Sequence, residues 1–230
     1  HGYLESLLHK LPMPLHRVST LKALEDASQI LPLPCFHLEG FTDVDIVDVV
    51  SLARVTSLTH VHTLDLYYKH VAHDGALALA KTPHLSNLHT LDISYNYLGD
   101  DSAQVLLQSP YLHQLRVLDL AGNKIELYSD NYINIFNNLN PKKTLHSLDL
   151  SSNLIEDRGA DILASSEFLS SVHTLKLSYN TIHTEAALTL ISSPHLSSLH
   201  TLDLTENPID VEMKNNLIQL GKSRGYTVLL

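Results

Sequence analysis

The sequence predicts an α/β solenoid, in which strands from repeated units form one parallel sheet and helices pack behind it. The first observation is a nine-residue motif with Leu, Ile or Val at its first, fourth and sixth positions. The second is its period, because the copies begin at residues 61, 88, 115, 145, 172 and 199, which are 27 residues apart or, once, 30. The third is an Ala- and Leu-rich segment after most copies. A fixed period of this length predicts stacked copies of one structural unit.

Each copy of the motif predicts a short strand. In the clearest copy, Leu88 to Asn96, the apolar Leu91 and Ile93 alternate with polar residues, which places the apolar side chains on one face. Such a strand cannot bury its apolar face alone, so it pairs with the strand of the next unit, about 4.8 Å away. Because the copies run in the same direction, each unit returns through a crossover. The pattern L-x-x-L-x-L-x-x-N at this period is the signature of a leucine-rich repeat.

The segments after the motifs predict the crossover helices. After the copy at 88, we expect Asp100 or Asp101 to cap a helix that includes residues 102–107. The corresponding segments in other units are 76–80, 160–164 and 186–190. Helices are wider than strands, so we expect a curved stack with the sheet on its concave side and the helices on its convex side.

The domain organisation follows from where the period stops. Residues 1–32 do not fit it and predict a helical amino-terminal cap. Residues 33–207 hold the repeats, including a degenerate first unit that starts near 33 and has its helix at about 44–55. Residues 208–230 predict a carboxyl-terminal cap, with a helix from Asp210 to about Gly221 and then a last strand that ends the solenoid. No run of 18 apolar residues is present, so we predict no membrane span.

The Asn at the ninth position of the motif has a predicted structural role. Its side chain offers two donors and an acceptor, which can satisfy backbone groups where the strand turns away. The first copy has Lys69 at this position and is therefore atypical. The predicted ladder consists of Asn96, Asn123, Asn153, Asn180 and Asn207.

One face of the predicted sheet carries acidic and aromatic side chains. A row of carboxylates attracts a basic partner, and exposed tyrosines bury a large area with little loss of side-chain entropy. We therefore predict a partner-binding site on the concave face made of Asp65, Tyr67, Tyr68, Asp92, Tyr95, Asp119, Asp149, Lys176 and Tyr179. Its densest group is Tyr67, Tyr68 and Tyr95, with Tyr97 close in sequence. The alternative is that Asp only suits the solvated side of a short strand in this consensus.

The second position of the motif forms a column of basic and titratable residues. Its members are His62, His89, Arg116, His146, His173 and His200. Protonation of these imidazoles beside the Asp column would weaken the binding of a basic partner between pH 7 and pH 5.5. The alternative is that His only fills a consensus position. Metal binding would need convergent ligands and usually a carboxylate or thiolate partner, so we predict no metal.

Composition limits the kind of partner and the compartment. The net charge of −10 argues against a nucleic-acid-binding surface of the usual basic kind. The single cysteine, Cys35, and the absence of Asn-x-Ser/Thr acceptors favour a reducing and unglycosylated setting such as the cytosol. The first residues do not resemble a signal peptide.

The uniform unit L-H-T-L-D-L-S-x-N-x-I, followed by G-A-x-x-L-A and S-P-H-L-S-S, resembles the ribonuclease-inhibitor-like class of leucine-rich repeats over about residues 33–207. The repeats are also similar to those of effector proteins that intracellular bacteria deliver into host cells. Proteins of this class act as binding scaffolds without catalytic residues, and the prototype encloses basic ribonucleases with an acidic concave face. This chain has far fewer repeats than that prototype.

The leading hypothesis is a non-catalytic, monomeric scaffold without a cofactor that binds a basic protein on its concave face, in the setting of a bacterial effector acting on a host protein. A second hypothesis is an adaptor or inhibitor that recruits another protein through residues 1–32. A third is a hydrolase that uses Cys35, which lacks an obvious catalytic neighbour apart from His37.

Overall fold

The computed structural model describes residues 16–17, 36–38, 49–54, 56–128 and 145–230. Within these ranges, nine parallel strands form one sheet in sequence order. The strands are β1 (His16–Arg17), β2 (Phe36–Leu38), β3 (Val61–Asp65), β4 (Thr90–Asp92), β5 (Val117–Asp119), β6 (Ser147–Asp149), β7 (Thr174–Lys176), β8 (Thr201–Asp203) and β9 (Thr227–Leu229). The predicted α/β leucine-rich repeat solenoid is confirmed.

The register of the sheet aligns equal positions of successive motifs. Leu64 pairs with Leu91, and Leu91 pairs with Leu118, so the fourth position of each unit stands beside the fourth position of the next. These leucines are buried, as are the apolar residues at the first and sixth positions. A continuous core therefore runs through the stack between the sheet and the helices, and each unit contributes the same side chains to it.

Helices form the second layer of the solenoid. They span Val49–Leu52, Ala72–Lys81, Gly99–Leu107, Asp157–Ala164, Thr184–Ser192 and Val211–Ser223. Their inner faces carry buried small residues such as Ala76, Ala103 and Ala187, which let the helices approach the sheet. No helix in the described ranges is long and apolar enough to cross a membrane.

The predicted helix cap at Asp100 or Asp101 is wrong. The helix begins at Gly99, so both carboxylates lie in its first turn, where their negative charges interact favourably with the positive end of the helix dipole. Asp100 also links two units, because its Oδ1 accepts from the backbone N–H groups of Glu126 at 2.8 Å and Leu127 at 3.1 Å. Asp100, which the sequence suggested as a helix cap, therefore contacts the next repeat instead.

The amino-terminal part of the sheet differs from the prediction. β1 lies inside the segment predicted as a helical cap and pairs in parallel with β2. In β2, Leu38 rather than Phe36 pairs with Leu64, so the first unit is shifted by two residues from the predicted start near 33. The register changes between Phe36 and His37, which the regular period could not indicate. The helices predicted elsewhere in 1–32 lie outside the described residues, as do Cys35 and the longer crossover at 129–144.

The carboxyl-terminal helix and strand close the described stack. Asp210 precedes the helix but its side chain makes no capping hydrogen bond, and the helix continues to Ser223 rather than Gly221. After the helix, the buried Tyr226 hydroxyl donates to the carbonyl oxygen of Ile191 at 2.7 Å. This bond ties the final turn to the preceding repeat and positions β9 against β8.

The Asn side chains at the ninth position join each unit to the one before it. Asn153 Oδ1 accepts from the backbone N–H groups of Asn123 at 2.9 Å and Ile125 at 3.0 Å. Its amide nitrogen lies within 3.1 Å of the carbonyl oxygens of Leu120, Leu150 and Ser151. Asn96 and Asn123 also accept from two backbone N–H groups, whereas the Oδ1 atoms of Asn180 and Asn207 accept from one, that of Ile155 or Ile182; all four side chains are buried. The ladder holds the turns that follow β3 to β8, and these turns carry the candidate site.

Candidate partner-binding surface

The side chains at the fifth position of the motif form a column on the face of the sheet that the helices do not cover. We call this surface the open face. Asp65 pairs with Asp92 and Asp92 with Asp119, so their side chains stand on adjacent strands. All three are partly exposed, whereas the leucines beside them in sequence are buried. The column continues through Asp149, Lys176 and Asp203.

Each Asp of the column also holds its own turn. Asp92 Oδ1 accepts from the backbone N–H of Ser94 at 3.0 Å and from its hydroxyl at 2.6 Å. Asp65, Asp119, Asp149 and Asp203 accept in the same way from the N–H two residues later, at 2.9 to 3.0 Å. This turn is a local reason for Asp at the position. It occupies Oδ1 of each carboxylate and does not use Oδ2.

Lys176 replaces Asp in the column and neutralises its neighbour. Its Nζ donates to Asp149 Oδ2 at 2.9 Å. That hydrogen bond and the negative charges of Asp149, Asp119 and Asp203 raise the pKa of Lys176, against the effect of partial burial. Within the described residues, the column therefore has an amino-terminal part without an ion pair, Asp65 to Asp119, and a part in which one lysine binds one aspartate.

Asp119 lies at the centre of this charge distribution. Burial, and then the charges of Asp149 and Asp92, raise its pKa from 3.8 to about 6, although the hydrogen bond from Ala121 and the charge of Lys176 act in the opposite direction. Asp119 thus changes its protonation state close to neutral pH.

Four exposed tyrosines form a cluster at the end of the strands beside the acidic column. The Tyr cluster consists of Tyr67, Tyr68, Tyr95 and Tyr97, whose exposed fractions are 52%, 54%, 41% and 55%. The Tyr67 ring contacts Tyr95 edge-on at 5.6 Å between centroids and Tyr68 at 6.1 Å. Such contacts hold the rings against one another without removing them from solvent.

His70 and Lys124 extend the Tyr cluster. The His70 ring lies 5.5 Å from Tyr68 and stacks on Tyr97 at 6.4 Å. Lys124 places its Nζ 4.8 Å from the centroid of the Tyr97 ring, a cation–π contact. Sequence reasoning missed both residues, and the available signal was that His70, Tyr97 and Lys124 all follow the ninth position of their motifs.

The backbone beneath the tyrosines adopts a conformation that disfavours them. Tyr68, Tyr95 and Tyr179 at the eighth position have φ of 54°, 58° and 55°, and Tyr97 has φ of 57°. A side chain in this left-handed region costs about 1–2 kcal/mol, which Gly avoids. Gly122 occupies the same position of the third copy with φ of 66°, so glycine is compatible with this turn. Ser152 and Glu206 hold this position in two other units with φ of 55° and 57°, so several kinds of side chain occupy the turn against the local preference for glycine.

Gly122 has a second role, because it seats the ring of Tyr95. A Cβ atom built on Gly122 would lie 2.6 Å from Cδ1 and 2.7 Å from Cε1 of Tyr95, well inside van der Waals contact. The ring of Tyr95 therefore crosses the backbone of the next repeat. The absence of a side chain at 122 sets the orientation of this tyrosine.

The structure brings together most of the predicted site and separates one tyrosine from it. Tyr179 is 61% exposed and has the backbone conformation of Tyr68 and Tyr95, but it lies in the unit that contains Lys176. In the described part of the chain it makes no contact with the Tyr cluster. The candidate site is thus concentrated in the units at 61, 88 and 115.

In the column at the second position, imidazole rings contact one another on both sides of Arg116. The His146 and His173 centroids are 4.8 Å apart, and those of His173 and His200 are 4.9 Å apart. Burial, then the neighbouring His146 and His200, lower the pKa of His173. His173 is therefore more weakly basic than an ordinary histidine. Among the described residues no three His, Cys, Asp or Glu side chains are placed to hold a metal ion.

Comparisons with known proteins find a family model and a solved structure that are similar to this chain. A family model described as Leucine Rich repeat matches residues 84–107 and 142–164. The chain is similar to an internalin from Listeria monocytogenes str. 4b F2365, with 19% identity and a TM-score of 0.49 over 84% of this chain and 59% of that chain. It thus spans 59% of the length of that solved structure. No curated protein matches it. The chain has the leucine-rich repeat fold, and the ribonuclease-inhibitor-like class stays a prediction.

Proposed function

We propose that the chain is a non-catalytic scaffold that binds a protein partner on the open face of its sheet, through the Tyr cluster and the carboxylates of Asp65, Asp92 and Asp119. The observation that carries this proposal is the Tyr cluster itself, four neighbouring exposed tyrosines of which Tyr68, Tyr95 and Tyr97 lie in a left-handed backbone conformation that disfavours a side chain. A monomeric soluble protein rarely exposes adjacent large rings without a use for them. Tyrosines in such a group are typical energetic centres of protein interfaces.

The acidic column supports a basic partner. Its charge acts over several ångströms and increases the rate of encounter with a positive surface. The turn hydrogen bonds explain why Asp suits the position, so the charge does not by itself require a partner. Lys176 supplies the argument for complementarity, because it shows that an ammonium group binds the outward oxygen of this column at 2.9 Å.

Affinity capture with matched double variants tests the proposal. Tyr68→Ala combined with Asp92→Lys removes a ring and reverses a charge in adjacent units at the amino-terminal part. Tyr179→Ala combined with Asp203→Lys makes the same changes, at the same motif positions and in adjacent units, at the other end. We expect the first variant to lose a protein that the wild type and the second variant retain. Equal capture by all three, with unchanged thermal unfolding, would contradict the proposed surface.

The proposed setting is that of a bacterial effector acting on a host protein in the host cytosol. It is supported by the uniformity of the repeats and by the single cysteine. The same capture performed in parallel with lysates of eukaryotic and bacterial cells tests this setting. A partner captured only from the bacterial lysate would argue against it.

A further inference from the structure

The amino-terminal part of the open face presents three carboxylate oxygens at a regular spacing. In Asp65, Asp92 and Asp119, Oδ1 accepts from the following turn, while Oδ2 forms no hydrogen bond or ion pair within the described residues. In Asp149, that same oxygen binds Lys176. Among the residues that the structure describes, Asp149 thus has a cation bound at Oδ2, and Asp65, Asp92 and Asp119 have none.

The spacing of these carboxylates selects the secondary structure that can match them. Adjacent strands lie about 4.8 Å apart, so the three Asp positions stand at about 0, 4.8 and 9.6 Å along the column. Residues i, i+3 and i+7 of an α-helix rise by about 4.5 and 10.5 Å and share one face. Alternate residues of an extended strand rise by about 6.6 and 13 Å, which departs from the column by about 3 Å at the third residue. A polyproline helix repeats every 9.3 Å or so and would miss the middle carboxylate.

We infer that the open face at Asp65, Asp92 and Asp119 binds the basic face of an α-helix, with Arg or Lys at i, i+3 and i+7, laid along the column and across the strands. This inference rests on the proposed function and adds the structure and charge pattern of the partner. Each cation takes the place relative to Oδ2 that Lys176 takes at Asp149. Charge complementarity therefore fixes the register of the helix on the sheet.

The two sides of the column give the bound helix a defined orientation. On one side, Tyr67 and Tyr95 offer ring faces for the aliphatic stems and charges of basic residues, and the contact of Lys124 with Tyr97 is an example within the chain. On the other side, the second position carries the exposed Arg116 between His89 and His146. A positive charge at this edge repels basic residues, so the helix turns its neutral or acidic side towards it.

Synthetic peptides test the inference on the intact chain. The first probe is an Ala-rich peptide with Arg at i, i+3 and i+7, held helical by a lactam bridge on the opposite face. The second has the same length and number of Arg residues, but its Arg residues alternate and prolines replace some of the alanines, which prevents helix formation. Binding is followed by NMR titration of the amides of Tyr67, Ser94 and Ala121, which donate to the three carboxylates. The amide of Thr205, which donates to Asp203 in the same way, is the internal control.

Three variants sharpen the test. Asp65→Asn, Asp92→Asn and Asp119→Asn combined keep an acceptor oxygen for every turn but remove the charges, so we expect the fold to persist and affinity for the helical probe to fall about tenfold. Asp203→Asn is the control and should change affinity less than twofold. Lys176→Asp releases Asp149 and extends the column. A helical probe lengthened by one basic turn should therefore gain affinity on this variant and not on the wild type.

The expected result is that the helical probe binds at least about tenfold more tightly than the alternating one and shifts the three amides more than that of Thr205. Equal or tighter binding of the alternating peptide, unchanged affinity after the triple substitution, or no detectable shift with either peptide would overturn the inference. The proposed function has an independent readout, because the matched capture variants do not depend on the secondary structure of the partner. Failure of the peptides with a positive capture result would refute the helix alone.

Discussion

Replacement of Asn153 by alanine tests how strongly the Asn ladder couples the repeats. The side chain is 6% exposed, and its Oδ1 is the acceptor for the backbone N–H groups of Asn123 and Ile125, which are themselves fully buried. Asn153→Ala leaves both donors without a partner. A buried, unsatisfied donor costs about 1–3 kcal/mol, so with two such donors the free energy of unfolding should fall by about 4 kcal/mol. This is a large part of the roughly 5–15 kcal/mol by which a domain is stable.

Asn207→Ala is the matched control for this prediction. In the described structure, Asn207 Oδ1 accepts only from the N–H of Ile182, at 3.0 Å, while its amide nitrogen reaches three carbonyl oxygens as that of Asn153 does. The cavity and the lost amide contacts are therefore similar in the two variants. The loss for Asn207→Ala should be about 2 kcal/mol, because one buried donor rather than two is left unpaired.

Urea unfolding followed by far-ultraviolet circular dichroism at pH 7 and 25 °C measures both losses. The free energy of unfolding is extrapolated to water, and the slope is compared with the wild type to show that the same surface unfolds. Equal losses for the two variants, or a loss below about 1 kcal/mol for Asn153→Ala, would refute the assignment of the coupling to the buried N–H groups.

Three further predictions follow from the candidate site. Gly122 and Gly99 both have φ of 66°, so Gly122→Ala and Gly99→Ala should each lower the free energy of unfolding in urea by about 1 kcal/mol. Only the Cβ of Gly122→Ala meets the ring of Tyr95, so only this variant should shift the NMR signals of Tyr95. The pKa of Asp119 is raised to about 6, so its contribution to stability is fully present below pH 4 and is lost as pH rises through 6. The melting temperature of Asp119→Asn, relative to that of the wild type, should therefore increase from pH 4 to pH 7. A constant difference would be inconsistent with the raised pKa. Tyr179→Asn should raise the free energy of unfolding by about 1 kcal/mol, since Asn tolerates positive φ better than Tyr, and a lower melting temperature would contradict this.

The structure also changes the expected origin of pH sensitivity in binding. The sequence predicts that protonation of the His column weakens binding of a basic partner between pH 7 and pH 5.5. The pKa of His173 is lowered, whereas burial and the charges of Asp149 and Asp92 raise that of Asp119 to about 6, although Lys176 acts in the opposite direction. Loss of one negative charge from the column near pH 6 would weaken binding of a basic partner in the same direction. Measurement of peptide affinity with Asp119→Asn separates the two origins, because this variant should bind with little change from pH 7 to pH 5.5.

The repeated motif determined most of the fold. In a solenoid, each unit contacts mainly its neighbours, so the pattern within one unit is enough to define the packing of the next. Alternation at Leu91 and Ile93 predicted a strand, and the constant period placed Leu64, Leu91 and Leu118 side by side. The same period predicts that Asp65, Asp92 and Asp119 stand in one column, as the register of the sheet confirms. The period could not indicate the two-residue shift at β2, where the sequence departs from the consensus.

What each member of the column does was decided by the tertiary structure alone. The sequence shows Asp at one position and Gly at another, but not that Asp92 holds the turn at Ser94 or that the ring of Tyr95 crosses Gly122. Both contacts depend on side-chain rotamers and on the left-handed backbone after each strand, and the second also joins two neighbouring units. Periodicity fixes which residues become neighbours, because stacking repeats the register. The direction of their side chains, and hence the oxygen and ring faces left for a partner, follows only from packing in three dimensions.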